Sequence, residues 1–453
     1  MERSQRPTLT RRRALKTLAT AGLIGLAGCT NEGSDTPSST LSETVGTHRT
    51  TRQHTETTTR DPTTPEQPSE QPQAWSELEL SGTPAYHDDP NWRMNGHDTG
   101  LTFHNPHADG PDSEPMVRWT FEGEGGPVDT HKYYQPLIVD GTVYVTVVPK
   151  DGTGGLAAID AETGESEMLI ETSKFLRRPT IFDGTIYTLL GDSVAAFDLS
   201  DGTQLWEADD LLGPLFGPLS EPVCVDGVVV TGRGSVILGL DAATGEKLWQ
   251  VGENKTLQAA AYIPVIADGM VAQSDRRSVY DLQTGEQRGE LPCLIAYQSI
   301  NDGLVIGWDL SGEKNLGTGK TIAVDWNTLE KVWTKPDNKR SISKMSTSVG
   351  NTYLSVEEIE EETTVFIVAR DLTTGEQIWQ IRRQDTAPTY ITTDGKRAYC
   401  AYSFHNDFYA LDPDDGSVQW EFSPDDDAAG TGIALADDLL VVSDGVGNLW
   451  ALE

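Results

Sequence analysis

The amino-acid sequence predicts an all-β fold, an eight-bladed β-propeller of four-stranded antiparallel blades that is closed by N- and C-terminal strands in one blade. Three observations predict it. A phrase recurs every 38–46 residues, each copy carries two tight-turn motifs, and fragments of one blade stand at the two ends of the repeats. This period is typical of propeller blades, which take about 40–50 residues. The chain divides into four segments, residues 1–28, 29–73, 74–116 and 117–453.

Residues 1–28 carry the features of an export signal. Arg11 and Arg12 precede a short apolar stretch that ends in Leu26-Ala27-Gly28-Cys29. The pattern resembles a twin-arginine signal peptide with a lipobox, and the resemblance implies cleavage before Cys29 and a lipid on its thiol. A cleaved signal with an incidental cysteine and an uncleaved anchor helix are the alternatives. We therefore expect a lipid-anchored protein at the extracellular face of the cell membrane.

Residues 29–73 are rich in Thr, Ser, Pro, Glu and Gln and almost lack apolar side chains. Such a segment cannot bury enough apolar surface to fold, so we predict a disordered tether that is open to glycosylation. Residues 74–116 are predicted to form an extension that packs on the propeller. This extension contains four histidines, His87, His97, His104 and His107. Histidines of a packed segment are the favoured interpretation, and a metal site is the alternative.

The charge of the chain is strongly acidic, with 70 Asp and Glu against 34 Lys and Arg and a formal net charge of −36. One interpretation is adaptation to concentrated salt, in which self-repulsion is screened. The other is a surface that captures cations or a basic partner. Nucleic acid is excluded as a partner, because binding to a phosphate backbone needs clustered Lys and Arg, which are missing after the N-terminus.

The first repeated motif is an Asp-Gly-like turn between two apolar runs. Glycine takes the positive φ that a two-residue hairpin loop requires, so each copy predicts a β-hairpin. Counting the turns predicts eight blades. The turns are Asp140-Gly141, Asp183-Gly184, Asp226-Gly227, Asp268-Gly269, Asp302-Gly303, Gly350-Asn351, Asp394-Gly395 and Asp437-Asp438.

The second repeated motif is Asp-x-x-Thr-Gly or a variant of it, in which the aspartate can accept hydrogen bonds from the backbone of the turn. Leu329 replaces the glycine in one copy. A tryptophan follows in most copies, and we expect it to begin an outer strand and to pack between neighbouring sheets. The aspartates are Asp160, Asp198, Asp241, Asp281, Asp325, Asp371 and Asp412, and the tryptophans are Trp206, Trp249, Trp333, Trp379 and Trp420.

The two ends of the repeat region complement each other. The segment from Val117 has the pattern of an outer strand with no turn before it, and the segment at Leu449 has the pattern of a third strand with no outer strand after it. Pairing them would complete one blade and remove the exposed edges of an open sheet.

The phrase DAATGEKLW and its relatives resemble the PQQ-like (pyrroloquinoline-quinone-like) repeat, and the segment from Asn91 to Gly100 resembles a phrase that precedes this repeat in extracellular archaeal members. The resemblance covers Trp92 to Glu453 and implies a propeller. Members include quinoprotein alcohol dehydrogenases and the assembly lipoprotein BamB, so the resemblance does not decide the activity.

Quinoproteins of this family hold PQQ with calcium, and an adjacent Cys-Cys pair commonly covers the cofactor; no such pair occurs in this sequence. We therefore predict no cofactor and a non-catalytic cell-surface lipoprotein that presents a monomeric propeller to an envelope protein or a glycan. A PQQ-dependent oxidoreductase and a BamB-like assembly factor are the alternatives. Cys224 and Cys400 are expected to be small buried residues, and Glu357 to begin a solvated acidic loop.

A ligand, if bound, is expected in the central funnel, where the innermost strands converge. Side chains just before these strands could bind a sugar, a peptide or a small polar solute, or could satisfy one another and bound water. These side chains are Gln135, Arg178, Glu221, Tyr262 and Gln298. The funnel could also be plugged by the segment around His97.

Overall fold

The computed structural model describes residues 80–122, 135–147, 154–209, 211, 219–233, 236–252, 263–274, 276–309, 320–335, 339–341, 347–359, 364–383, 388–402, 407–424, 430–444 and 448–453. The chain divides into two compact units, Met1–Ser69 and Glu70–Glu453, and all described residues belong to the second. The predicted signal peptide and tether, with Arg11, Arg12 and Cys29, therefore lie outside the described residues. No helix in the described part of the chain could cross a membrane.

The predicted fold is confirmed: the described residues form eight antiparallel sheets, which we number as blades 1 to 8 in chain order. The first strand, β1 (Val117–Phe121), precedes blade 1 and belongs to blade 8. Blade 1 contains β2 (Leu137–Val139), β3 (Thr142–Val147), β4 (Gly154–Asp160) and β5 (Ser166–Thr172). Blade 2 contains β6 (Leu176–Phe182), β7 (Thr185–Leu190), β8 (Ser193–Asp198) and β9 (Gln204–Ala208). Blade 3 contains β10 (Val223–Val225), β11 (Val228–Arg233), β12 (Val236–Asp241) and β13 (Lys247–Val251).

The next three blades follow the same order from the innermost to the outermost strand. Blade 4 contains β14 (Val265–Ala267), β15 (Met270–Ala272), β16 (Ser278–Asp281) and β17 (Gln287–Glu290). Blade 5 contains β18 (Ile295–Asn301), β19 (Leu304–Asp309), β20 (Lys320–Asp325) and β21 (Lys331–Lys335). Blade 6 has its innermost strand in two pieces, so that it holds β22 (Lys339–Ser341), β23 (Thr347–Val349), β24 (Thr352–Ile359), β25 (Thr364–Asp371) and β26 (Gln377–Arg383).

The last two blades close the ring. Blade 7 contains β27 (Pro388–Thr393), β28 (Ala398–Tyr402), β29 (Phe408–Leu411) and β30 (Val418–Phe422). Blade 8 contains β31 (Gly430–Ala436), β32 (Leu439–Asp444) and β33 (Leu449–Leu452), and β1 is its outermost strand. Trp119 pairs with Ala451 and Phe121 with Leu449, as the complementary fragments in the sequence predicted.

The Asp-Gly turns join the two innermost strands of the blades. In five of them both turn residues have positive φ, as at Asp140 (49°) and Gly141 (74°), which is the conformation of a type I′ turn. Asp394-Gly395 differs from the expectation, because β27 and β28 are joined by four residues, 394–397. The Asp394 carboxylate accepts the N–H groups of Lys396 and Arg397 and thereby holds the wider loop.

The second turn motif joins the two outer strands. At Asp241, Oδ1 accepts the backbone N–H of Thr244 at 2.8 Å, and Gly245 follows with a φ of 73°. Leu329, which replaces the glycine in blade 5, adopts the same left-handed conformation with a φ of 55°. The turn therefore has the same backbone conformation in blade 5, although a left-handed φ is unfavourable for leucine.

The tryptophans connect neighbouring blades, as predicted. In Trp206 of blade 2, the indole Nε1 donates to the carbonyl oxygen of Ala242 in the turn of blade 3 at 2.9 Å. The ring also lies against Gly245, where an added Cβ would approach a ring carbon to 2.6 Å. The same donation to the next blade is made by Trp119, Trp249, Trp333 and Trp379. Trp420 donates instead to Pro111, which precedes β1.

Two blades have no tryptophan at this position. In blade 4 the strand register places Gly289 there, and in blade 1 the side chain facing the turn glycine of the next blade, Gly202, is that of Ile170. The blade that follows Gly289 is the one in which Leu329 replaces the turn glycine. We infer that Leu329, which is half-buried against the core, fills the space that an indole fills elsewhere.

Two side-chain expectations have different outcomes. Cys224, Cys293 and Cys400 are buried and form no disulfide, which confirms the expectation for Cys224 and Cys400. The expectation that Glu357 begins a solvated loop is wrong, because Glu357 is 1 % exposed within β24. The guanidinium of Arg370 on β25 pairs with both carboxylate oxygens, at 3.0 and 2.9 Å, and so compensates for the burial.

Candidate functional site

The centre of the ring is lined by the innermost strands, whose inner edges have no further strand to pair with. Residues 85–110, which we call the plug, cross this centre at the end that carries the Asp-Gly turns. Trp92 exchanges two backbone hydrogen bonds with Ile138 of β2, at 2.7 and 3.0 Å. The plug therefore acts on the inner edge as an additional strand would.

The plug contacts the eight blades in chain order. In blades 1 to 4, Trp92 bonds Ile138, Arg93 bonds Ile181, Asn95 bonds Glu221 before β10, and Thr99 bonds Ile266. In blades 5 to 8, Gly100 bonds Ile300, Phe103 bonds both Thr347 and Thr393, and Asn105 bonds Leu435. Five of these partners, in blades 1, 2, 4, 5 and 8, stand two residues before the turn of their blade. The sequence left an open and a plugged funnel as alternatives, and the funnel is plugged at this end.

The interior of the plug is organised around Asp98, which is fully buried. Its carboxylate accepts the N–H of Gly100 at 2.9 Å, the hydroxyl of Thr102 at 2.6 Å, and a hydrogen bond with Nδ1 of His87 at 3.1 Å. Burial alone would raise the pKa of Asp98, but the bonds from His87 and Thr102, with the adjacent His97, outweigh it and lower the pKa to about 2. Asp98 is therefore a stable anion inside the plug.

The histidines of the extension lie around this carboxylate. His97 is fully buried, its Nε2 contacts the carbonyl oxygen of Asp89 at 2.9 Å, and its Nδ1 lies 3.9 Å from Asp98. The ring centroids of His87 and His104 are 6.0 Å apart. Burial, followed by the charges of His87 and His97, lowers the pKa of His104 to about 4. No group of three potential ligands in the described part of the chain is placed to hold a metal ion, so the metal interpretation is not supported there.

Of the predicted funnel side chains, Gln135 and Glu221 stand just before β2 and β10, and Gln298 lies within β18. Glu221 is 3 % exposed and accepts the backbone N–H of Asn95 at 3.0 Å. Gln135 donates its amide N–H to the carbonyl oxygen of Ile433 in blade 8. Arg178 is within β6, and Tyr262 lies outside the described residues.

Gln298 differs from these side chains. It is 2 % exposed, and neither its amide oxygen nor its amide nitrogen has a hydrogen-bond partner among the described residues. The amide oxygens of Gln135 and Asn95 share this property. Buried polar atoms without partners cost about 1–3 kcal/mol each, so water or a polar ligand is the expected partner.

The described residues contain no group of three Asp, Glu, His or Cys side chains that could hold the calcium of quinoproteins. Calcium is held by six to eight oxygen ligands. Glu221 is the one carboxylate among the predicted funnel side chains, and Asn95 of the plug already engages it. None of the three described cysteines forms a disulfide, and they lie in β10, before β18 and in β28.

A second concave feature is a cleft of about 740 Å³ between blades 8 and 1, at the end that carries the turns. Arg118 crosses it and binds Glu453 at 2.7 Å and Asp438 at 3.1 Å. The other charged groups of the cleft are acidic: Asp140, Asp160, Glu162 and Asp437. The cleft is thus an acidic surface feature whose single guanidinium is already paired with two carboxylates.

Sequence reasoning singled out the histidines of the extension, with packing as the favoured interpretation, but missed the role of Asp98. The available signal was the segment Asp98-Thr99-Gly100, since Asp before Gly commonly caps a local turn. Asn105, which bonds the carbonyl oxygens of Pro90 and Leu435 at 2.9 Å, gave no such signal because both partners are distant in the sequence.

A family model described as "Outer membrane protein assembly factor BamB" matches residues 116–335, 193–388 and 361–453. No protein of a curated set matches the chain in sequence. Among solved structures, BamB from Moraxella catarrhalis is similar at 14 % identity and a TM-score of 0.50, over 75 % of this chain and 99 % of that one.

Two other solved structures share the fold. The quinohemoprotein alcohol dehydrogenase from Comamonas testosteroni has 13 % identity and a TM-score of 0.56, over 84 % of this chain and 83 % of its own. A computationally designed protein, Ika8, has 14 % identity and a TM-score of 0.56, over 73 % and 97 %. At these identities the likeness concerns the fold alone.

Proposed function

Because this chain belongs to the family described as outer membrane protein assembly factor BamB, whose repeats cover its whole propeller, we propose that it is a non-catalytic binding module of the cell envelope. In this proposal a lipid on Cys29 anchors the chain at the extracellular face of the membrane, and the propeller binds an envelope protein or a glycan. The observation that carries it is the plug, which occupies one end of the funnel with the chain's own backbone.

The plug bears on the proposal because catalysis in a propeller funnel needs an accessible chamber with positioned groups. The inner edges of the blades are already paired with Trp92, Arg93 and Thr99, and Glu221 is engaged by Asn95. The outer surface of the blades remains accessible to a partner. Outer strands of several blades expose one large aliphatic side chain beside the buried tryptophan position, such as Leu205, Leu248 and Ile378, each about half exposed.

The test is photo-cross-linking of the full, anchored chain in cells of its own organism. A photoreactive residue replaces Leu248, Ile378 or, at the opposite end of a blade, Phe175, which is 37 % exposed. We expect a discrete cross-linked species at one or more of these positions, and none without irradiation. A chain recovered only as itself at all positions contradicts the proposal.

A polar ligand in the remaining part of the funnel is a second candidate, which the unpartnered amide atoms of Gln298 and Gln135 favour. Sugar hydroxyls could supply both donors and acceptors to them. The purified chain and its Gln298→Leu variant would be compared on a glycan array. Loss of a binding signal in the variant supports this candidate, and no signal from either protein contradicts it.

The oxidoreductase alternative is tested separately. Purified chain is incubated with PQQ and calcium, and alcohol-dependent dye reduction is followed together with cofactor absorbance. We expect neither turnover nor retained cofactor, because the described residues offer no calcium ligand set. Turnover would overturn the non-catalytic assignment without affecting the fold.

A further inference from the structure

The plug combines three properties that a purely structural segment does not need. It is held to the blades mainly by backbone hydrogen bonds, it contains left-handed non-glycine residues, and it buries imidazoles around one carboxylate. Together they make this segment a candidate for a conformational change.

The backbone of the plug is strained. Tyr86, His97, Leu101 and Phe103 have φ values of 64°, 72°, 56° and 52°. The left-handed conformation costs an ordinary side chain about 1–2 kcal/mol, and the surrounding contacts must compensate for it. Outside the plug, every other described non-glycine residue with positive φ lies in a turn between strands.

Two imidazoles of the plug, that of the fully buried His97 and that of the half-buried His104, have incomplete hydrogen bonding. Nδ1 of His97 and Nε2 of His104 have no hydrogen-bond partner among the described residues. Asp98 lies 3.9 Å from Nδ1 of His97, but its carboxylate already accepts hydrogen bonds from Gly100, from two groups of Thr102 and from His87. A proton added to Nε2 of His104 would lack a hydrogen-bond acceptor among the described residues.

The charges around these imidazoles come from three parts of the molecule. The plug supplies His87, Asp88, Asp89, Arg93 and Asp98, the turn between β18 and β19 supplies Asp302, and the loop between β27 and β28 supplies Asp394 and Arg397. Arg93 pairs with Asp89 at 2.5 Å, and Arg397 pairs with Asp394 at 3.1 Å. Since these acids are already engaged, they offset a new charge on His104 only in part.

We propose that the plug is an acid-labile closure of the propeller axis: protonation of His104 releases residues 85–110 from the inner edges of the blades while the ring stays folded. Release would expose the turn end of the funnel and the inner edges of the blades. This inference does not depend on the proposed binding partner.

The direction of the pH dependence follows from the two protonation states. Burial lowers the pKa of His104 to about 4 in the closed plug, against about 6.5 when it is solvated. The closed form therefore loses stability as pH falls from about 6.5 to about 4. For this one group the closed-to-open ratio falls about 30-fold between pH 7.5 and pH 5. His87 acts in the opposite direction, because its hydrogen bond to Asp98 raises its pKa.

The experiment is hydrogen–deuterium exchange of the full chain from pH 7.5 to pH 4, corrected for the intrinsic exchange rate. We expect the protection of peptides from residues 91–105 to fall at least tenfold by pH 5, while peptides from β11 and β12 stay protected. The His104→Gln variant should keep its plug protected at pH 5, and His107→Gln, at an exposed position, should behave as the parent.

Two results would overturn the proposal. One is plug protection that is independent of pH until the blades also unfold, and the other is a His104→Gln variant with the parent's pH profile. If that variant is already open at pH 7.5, the proposal is tested instead by NMR of the parent chain with isotope-labelled histidine Cε1. A His104 resonance that titrates below pH 6, together with plug exchange, supports the closure, and a midpoint at or above 6.5 refutes it.

Discussion

Glu357 and Arg370 show how a single pair of side chains can be essential to a blade. Both are at most 3 % exposed, and two parallel hydrogen bonds join the guanidinium to the carboxylate. Ser355 donates a third bond to Oε1 of Glu357 at 3.3 Å. Removing one member leaves the other charge buried without compensation, which is more costly than the pair itself is stabilising.

We therefore expect Glu357→Gln to lower the free energy of unfolding by about 3–5 kcal/mol, because the Arg370 charge remains buried. The measurement is urea unfolding followed by tryptophan fluorescence. The control is Asp109→Asn, which removes a carboxylate from the exposed pair with Lys396. This control should change stability by less than about 1 kcal/mol. Equal effects of the two substitutions would mean that the Glu357 pair is not buried.

At the scale of the element, the contact between a tryptophan and the turn glycine of the next blade sets the spacing of the sheets. Gly245 illustrates it, since its Cα faces the ring of Trp206 and its φ is 73°. Gly184 has the same φ (74°) in an Asp-Gly turn, but nothing lies within 4 Å of an added Cβ. An alanine at Gly184 would therefore suffer backbone strain alone, whereas an alanine at Gly245 would suffer backbone strain and steric overlap.

Gly184→Ala should thus cost about 1–2 kcal/mol, which is the strain of a left-handed alanine alone. Gly245→Ala should cost at least about 2 kcal/mol more, because the new methyl group overlaps a ring that is fixed by its bond to Ala242. Thermal and urea unfolding of both variants decide it. If they lose the same stability, the tryptophan ring moves freely and does not space the blades.

Blade 4 has Gly289 where other blades have tryptophan, and blade 5 has Leu329 where other blades have glycine. This pair of differences predicts that the two positions are energetically coupled. Gly289→Trp alone should destabilise, since Leu329 occupies the space, and Leu329→Gly alone should leave a cavity. Together they restore the arrangement of the other blades, so the double variant should be more stable than the sum of the single effects by about 1–3 kcal/mol. A double-mutant cycle measures this, and strict additivity would show that the two residues do not meet.

Local chemistry made much of this element structure predictable. Asp-Gly favours a hairpin because its backbone preference is stronger than most tertiary influences. The tryptophan side chain is so large that the interface between two blades is the expected place for it. The loop at Asp394 was not predictable, because its width depends on the hydroxyl of Tyr399, which donates to Asp394 from the neighbouring strand at 2.7 Å. Glu357 was misassigned for a related reason: its partner stands 13 residues away across a hairpin.

The plug was only half predictable. The histidine-containing extension suggested a packed segment, but a segment without periodicity carries no information about which backbone groups it pairs with. Its partners, from Ile138 to Leu435, are edge groups of strands that are spread over the whole propeller. Only the closed ring brings them together, so no local pattern could have indicated them.

At the scale of the whole molecule, the net charge of −36 opposes the compact state. Repulsion among exposed carboxylates weakens as the screening length falls from about 10 Å at 0.1 M salt to about 3 Å at 1 M. We expect the unfolding temperature to rise by at least roughly 5 °C over this range of KCl.

The measurement is calorimetry of the full chain at several KCl concentrations, with sucrose at equal osmolarity as the control for solute exclusion. If sucrose gives the same rise, exclusion and not charge screening is responsible. An unfolding temperature that is independent of KCl would contradict the interpretation of the acidic surface as an adaptation to salt.

The pairing of β1 with β33 has a consequence for how the protein is made. Arg118 and Glu453, which meet in the closed ring, are separated by 335 positions along the chain. Within the propeller, the plug and β1 are synthesised before the blades, and β33, with which β1 pairs, is synthesised after them. The nascent chain must therefore keep β1 unpaired while seven blades are synthesised. During this time the inner edges of the blades can pair with the plug. Contacts between such distant residues slow folding, so the last step of biogenesis, and not the formation of individual hairpins, is expected to set the time before the molecule is complete.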